Sequence, residues 1–131
     1  MLYTHGRSGA PTSRDVGQSL GDASPKMLLD NLLSTDDVRV NAAVFQPGCR
    51  TGWHWHSEGQ ILLVEHGRGI VATHEDRVVV TSGDVVYAPA GEHHWHGAAP
   101  DSLFMYTVIS LGSTNFDDID VLDHDYLAAF N

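Results

Sequence analysis

From residue 38 to residue 45 the chain alternates, with Val38, Val40, Ala42 and Val44 on one parity and Arg39, Asn41, Ala43 and Phe45 on the other. A period of two predicts a strand, and Pro47-Gly48 ends it. Residues 60–66 predict the next strand around the apolar run Ile61-Leu62-Leu63-Val64, with a turn at Gly67-Arg68-Gly69 and a further strand over 70–75. Val78-Val79-Val80 centres a strand over 77–81. Ser82-Gly83-Asp84 turns it into 85–88, and 103–111 is a long final strand. Residues 26–33 are ambiguous, because Ser24-Pro25 is also a fair start for a short helix. Residues 1–25 are rich in Gly, Ser, Thr and Pro without sustained period, and read as a loose arm. The tail carries Asp117, Asp118, Asp120, Asp123 and Asp125 ahead of Tyr126-Leu127-Ala128-Ala129-Phe130. Asp123 is placed to cap a short terminal helix whose apolar residues dock on the body. Short strands at roughly ten-residue spacing with glycine-rich turns predict an all-β, double-sheet barrel.

Composition narrows the partners. At 131 residues the chain is one domain with enough length to bury a core. A net charge of −10 with seven Lys plus Arg argues against nucleic acid or an anionic membrane surface. The single cysteine excludes an intrachain disulfide and suits a reducing compartment. No apolar run is long enough for a membrane helix, and the first residues lack the basic-then-apolar order of a signal peptide. These features predict a soluble, cytoplasmic protein.

The candidate chemistry lies between residues 47 and 69. His54 and His56 stand two apart in an extended segment, so both imidazoles share a face and Trp53 and Trp55 take the other. Gln60 returns to the histidine face if the chain stays extended. Two imidazoles and an amide oxygen on one face suit a metal. A second cluster, His93-His94-Trp95-His96, offers three candidates, with His94 and His96 on one parity and His93 on the other. Cys49 reads as a small buried residue. His5, His66, His74, His124, Glu58 and Glu92 read as solvated.

These two stretches resemble the paired motifs of the cupins. Gly48, His54, His56, Gln60 and Gly67 fit the leading motif, and Gly83, Pro89, Gly91 and His94 the trailing one. The resemblance implies a double-stranded β-helix (jelly-roll) barrel over about residues 26–112, with residues 1–25 as a flexible arm and 26–131 as the cupin domain. It tips residues 26–33 toward a strand, implies a homodimer, and selects His94 as the ligand from its cluster. One divalent transition metal per chain would then be held by His54, His56, Gln60 and His94, with Mn, Fe, Co, Ni or Zn all compatible with the donors. Three histidines and one glutamine leave two octahedral positions open, which is a catalytic arrangement. Most cupins carry Glu where Gln60 stands. The neutral amide leaves the site one unit more positive and favours an anionic ligand.

Within the cupins, Phe45 to His56, Gln60 and the run Gly91 to Pro100 are similar to bacterial manganese-dependent hydroxynitrile lyases, which cleave or form cyanohydrins. That likeness favours manganese and a small carbonyl-containing or anionic substrate. Those lyases place a further histidine on the last strand, where this chain has Tyr106. His96 and Tyr106 are therefore the candidates for proton transfer. Two other readings remain: a dioxygenase or polyketide-cyclase-like cupin, and a non-catalytic cupin that binds a metal or metabolite. Gln60 in place of a carboxylate counts against the dioxygenase.

Overall fold

The computed structural model of the chain describes residues 1–5, 14–22 and 27–131. Ser24, Pro25 and Lys26, where a helix start was weighed against a strand, lie outside them, as do residues 6–13 and 23 of the segment read as an arm. The described residues form β1 (Arg14–Val16), β2 (Met27–Ser34), β3 (Val38–Phe45), β4 (His54–His56) and β5 (Gly59–Ala72). There follow β6 (Arg77–Thr81), β7 (Val85–Ala88), β8 (Trp95–Ala98), β9 (Phe104–Leu111), β10 (Thr114–Phe116) and α1 (Asp123–Ala129). Every pairing is antiparallel, in the order β1-β2-β3-β9-β5-β6, with β7 and β8 also on β5 and a separate β4–β10 ribbon. This is the all-β jelly-roll barrel expected.

One long strand replaces an expected hairpin. Gly67-Arg68-Gly69 is no turn, because β5 runs unbroken from Gly59 to Ala72, with an irregularity in its β9 pairing between Val64 and His66. Its first half pairs with β7 and β9, and its second half with β6 and β8. The glycines serve close approach between strands. A Cβ on Gly67, at φ 81°, would lie 1.6 Å from the Leu103 carbonyl oxygen, and one on Gly69 2.6 Å from Gly97 O and Phe104. Glycine therefore lets β5 bend from one sheet into the other.

Register explains how the barrel is filled. Inward positions on β3 run Phe45, Ala43, Asn41, Arg39, and their partners on β9 run Phe104, Tyr106, Val108, Ser110. On β2 the matching row is Met27, Leu29, Asn31. One end of the barrel is thus plugged by Phe45, Phe104 and Met27, while the other end turns polar. Burial of each large apolar side chain in that plug stabilises the fold by about 1.5–3 kcal/mol. The polar end opens into a cavity of about 810 Å³.

The tail closes one side. β10 pairs with β4, and α1 docks through buried Tyr126 against Trp95, Ile70 and Val121. Asp123 does not cap the helix as expected. Leu122 holds the cap position without a side-chain bond, and Asp123 opens the first turn. Its carboxylate instead accepts from Arg50 Nη2 at 2.7 Å and from the Gly21 amide at 3.2 Å. Arg50 is buried, and its Nε and Nη2 also donate to the Val121 carbonyl at 3.0 and 2.6 Å. A buried guanidinium outcompeted the helix end for that carboxylate.

Two strands had no sequence signal. β1 and β10 are three residues each, too short to display a period. β1 pairs with β2 inside the stretch read as a loose arm. No helix among the described residues is long and apolar enough to cross a membrane.

Candidate metal centre

β4 delivers two imidazoles to the cavity. The even spacing of His54 and His56 puts both inside, and both are buried. Reciprocal backbone bonds of 2.9 Å between His54 and His94 clip the second cluster to the first, so His94 arrives beside His54. The ligand-capable nitrogens of His54, His56 and His94 all lie within 4.8 Å of one another. Gln60 sits at the start of β5, also buried, with Oε1 3.2 Å from His94 Nε2. Of the three candidates near residue 94, His96 is the second to point inward. His93 points out, with Nδ1 2.7 Å from Asp117 and its ring stacked on Trp55. The other tryptophan, Trp53, stacks on His74 at 3.9 Å.

The outer nitrogen of each ring is tied to an acceptor. His54 Nδ1 lies 2.9 Å from the Gly52 carbonyl, His94 Nδ1 2.9 Å from the Glu92 carbonyl, and His56 Nδ1 3.0 Å from Thr114 Oγ1. A carbonyl only accepts, so Nδ1 carries the proton in His54 and His94 and Nε2 presents a lone pair. Such anchoring of the distal nitrogen is the usual support of a metal-binding imidazole.

Burial keeps these rings neutral. It lowers the His54 pKa from 6.5 to about 4, assisted by His94, and that of His56 to about 3, assisted by His54, His94 and Arg39. Burial also lowers the pKa of His94. Neutral imidazoles are the form that binds metals.

The donor set fits a cation on two observations. Among the described residues His56 Nε2 is buried with no hydrogen-bond partner, an arrangement that costs free energy unless something fills it. The His94 Nε2 lone pair faces Gln60 Oε1, which is also an acceptor, because the amide nitrogen of Gln60 donates to Ser110 Oγ at 3.0 Å. Two acceptors facing at 3.2 Å repel, and a positive ion between them removes the conflict.

His96 and Tyr106 stand behind this set. His96 Nε2 is 3.2 Å from His54 Nε2, and His96 Nδ1 is 2.8 Å from the Tyr106 hydroxyl. His54 offers a lone pair there, so His96 bears its proton on Nε2 and accepts from Tyr106 at Nδ1. Burial pushes the Tyr106 phenol well above 10, with Cys49 adding to the shift, and pushes His96 well below 6.5. The parity of β9, open in the sequence, is settled by the inward row that Tyr106 shares with Phe104, Val108 and Ser110. Cys49 is buried, as expected.

Arg39 and Thr114 are among the lining residues that sequence reasoning missed. The signal for Arg39 was present, since it shares parity with Phe45, the one large apolar side chain on that face of β3. Thr114 lies on β10, which no period marks.

A barrel of this topology with inward histidines from two separate motifs defines a class, and the comparisons agree. The cupin domain family model matches residues 42–110, and the chain belongs to that family. It is 42% identical over 85 residues to an (R)-mandelonitrile lyase of Granulicella tundricola, covering 62% of this chain and 65% of that protein. It is 36% identical over 75 residues to an acireductone dioxygenase of Gluconobacter oxydans, covering 51% of this chain and 40% of that one. The match therefore spans less than two thirds of either curated relative. A solved cupin-like protein of Thermotoga maritima superposes with a TM-score of 0.74 at 33% identity, over 79% of this chain and 84% of that one.

Proposed function

We propose that this cupin is a metal-dependent lyase acting on a small hydroxynitrile or carbonyl compound. One observation carries the reading: a buried histidine that is not part of the ligand cluster, His96, holds a proton on Nε2 at the edge of that cluster. The likeness to the mandelonitrile lyase supports the substrate type. In this reading His54, His56, Gln60 and His94 hold one divalent ion per chain, with manganese favoured. When bound, that ion supplies Lewis-acid polarisation of a substrate oxygen.

The chain's own residues do the rest. Gly52, Glu92 and Thr114 orient the three rings, and Ser110 orients the Gln60 amide. Cleaving a cyanohydrin breaks the bond between the carbinol and nitrile carbons. The hydroxyl loses a proton, and cyanide leaves with the bonding pair and takes one up. His96 Nε2 is the group placed to give its proton to the departing cyanide and to take the hydroxyl proton in exchange, so that it ends as it began. Tyr106 acts through His96, because its protonated phenol donates to Nδ1 and keeps the other nitrogen as the donor.

The acireductone dioxygenase likeness supports a second reading, oxygen chemistry at the same ion. Mandelonitrile cleavage and oxygen uptake, measured on protein loaded with each of Mn, Fe, Co, Ni and Zn, separate the two. Cyanide release without oxygen uptake is expected, and no cleavage with any ion would overturn the lyase reading. The proposal extends to a cytoplasmic homodimer. Its support is an apolar outer face in which Tyr87, Ile61, Ile109 and Val40 align across four strands.

A further inference from the structure

The cavity holds a cation that the proposed reaction does not use. Arg39 lies on the inward row of β3 and lines the same cavity as His54, His56, Gln60 and His96. Its Nη2 donates to Thr114 Oγ1, the same oxygen that lies 3.0 Å from His56 Nδ1. The guanidinium is therefore one hydroxyl away from a candidate ligand.

Its surroundings are neutral. Ser110 stands opposite it on β9 and Ser34 opposite it on β2. One step along, Asn31 Nδ2 donates to Asn41 Oδ1 at 2.9 Å, and Ser34 Oγ donates to Asn31 Oδ1 at 3.0 Å. The acids that line this cavity, Asp118 and Asp120, belong to the other end of the β4–β10 ribbon. Thr114 pairs with His56, Phe116 pairs with His54, and the chain continues beyond Phe116 to both aspartates. Among the described residues no carboxylate forms an ion pair with Arg39, and the one hydrogen bond of its guanidinium is to Thr114. A guanidinium has five N–H donors in a planar fork that matches a carboxylate. Holding one in a cavity beside neutral groups leaves a preformed receptor for an anion.

We propose that Arg39 is a carboxylate subsite, and that the substrates of this cavity are small hydroxy or oxo acids. Their reacting oxygen lies at the histidine cluster, and their carboxylate takes the fork of Arg39. The inference rests on the lyase reading of the same site and names its substrate class. Thr114 positions the guanidinium.

Calorimetry on manganese-loaded protein tests this with two probes, phenylglyoxylate and its uncharged methyl ester. Arg39→Gln should weaken the acid by roughly tenfold or more, the usual scale for a charge-assisted pair, and leave the ester unchanged. Arg39→Lys keeps the charge but loses the fork, so it should weaken the acid by a smaller factor. It also serves as the test if Arg39→Gln does not fold. Equal acid affinity in wild type and variants, or the same loss for acid and ester, would overturn the subsite. Mandelonitrile cleavage assayed in parallel keeps the two ideas apart. Acid-selective binding without cleavage leaves the subsite standing and removes the lyase reading. Cleavage without acid selectivity does the reverse.

Discussion

Gln60 is the residue on which the charge of the centre turns. Three neutral imidazoles and one neutral amide compensate none of the charge of a divalent ion, so the open positions favour anions. Gln60→Glu keeps the shape and adds one negative charge. Cyanide titrated against the manganese-loaded variant should bind about tenfold more weakly than to wild type. Unchanged cyanide affinity would place Gln60 outside the ligand set. The same rings set an acid limit on the metal-free protein. His54 and His56 have folded pKa values of about 4 and about 3, below their unfolded value of 6.5. Between those values the unfolded chain binds more protons, so stability is fully present above 6.5 and falls as the pH drops toward 4 and 3. Urea midpoints of metal-free protein should therefore be lower at pH 4.5 than at pH 7.5, and equal midpoints would contradict the buried, neutral state of the rings. His54, His56, Gln60 and His94 were all legible because side chains alternate strictly on strands and the motif glycines count off their places. The tautomer of His96 was not legible, since it follows from partners 42 and 10 residues away.

Among the elements, β5 and the tail decide whether the cavity keeps its walls. Gly67→Ala would drive a methyl group into the Leu103 carbonyl, with φ at 81° adding strain. Thermal unfolding should show a loss of about 2–4 kcal/mol. A loss below about 0.5 kcal/mol, the range of ordinary surface changes, would mean the strand crossing has slack. The tail is tied by Arg50, which joins Val121 and Asp123 and lies 4.8 Å over the Tyr126 ring. Arg50→Met should cost about 2–3 kcal/mol through the lost charged hydrogen bonds, read from urea unfolding. Phe116 and Ile119, which wall the cavity from the tail, should then be cut faster by protease. An unchanged cleavage rate would mean that α1 holds the tail without Arg50. The sequence placed α1 but misassigned Asp123, because the local rule for helix starts cannot see an arginine 73 residues away. Likewise Gly67-Arg68-Gly69 carries the composition of a turn, while its cause is the proximity of Leu103 and Gly97.

For the whole molecule, barrel and polarity gradient make one argument. The inner rows pass from Phe45 and Phe104 at the plugged end to Arg39 and Ser110 at the open end, so the fold holds its polar groups where a ligand can reach them. The outer face of the same sheet is unusually apolar for a monomer, with Val85 64% and Tyr87 62% exposed. Sedimentation at micromolar concentration should find a dimer, and a stable monomer would remove the pairing proposed for that face. The central claim is that His54, His56, Gln60 and His94 together hold one divalent ion, and elemental analysis tests it most directly. Protein loaded with manganese and desalted should retain about one ion per chain in wild type, and His94→Ala, which removes one of four ligands, should retain almost none. Wild-type protein that retains none of Mn, Fe, Co, Ni or Zn would contradict it.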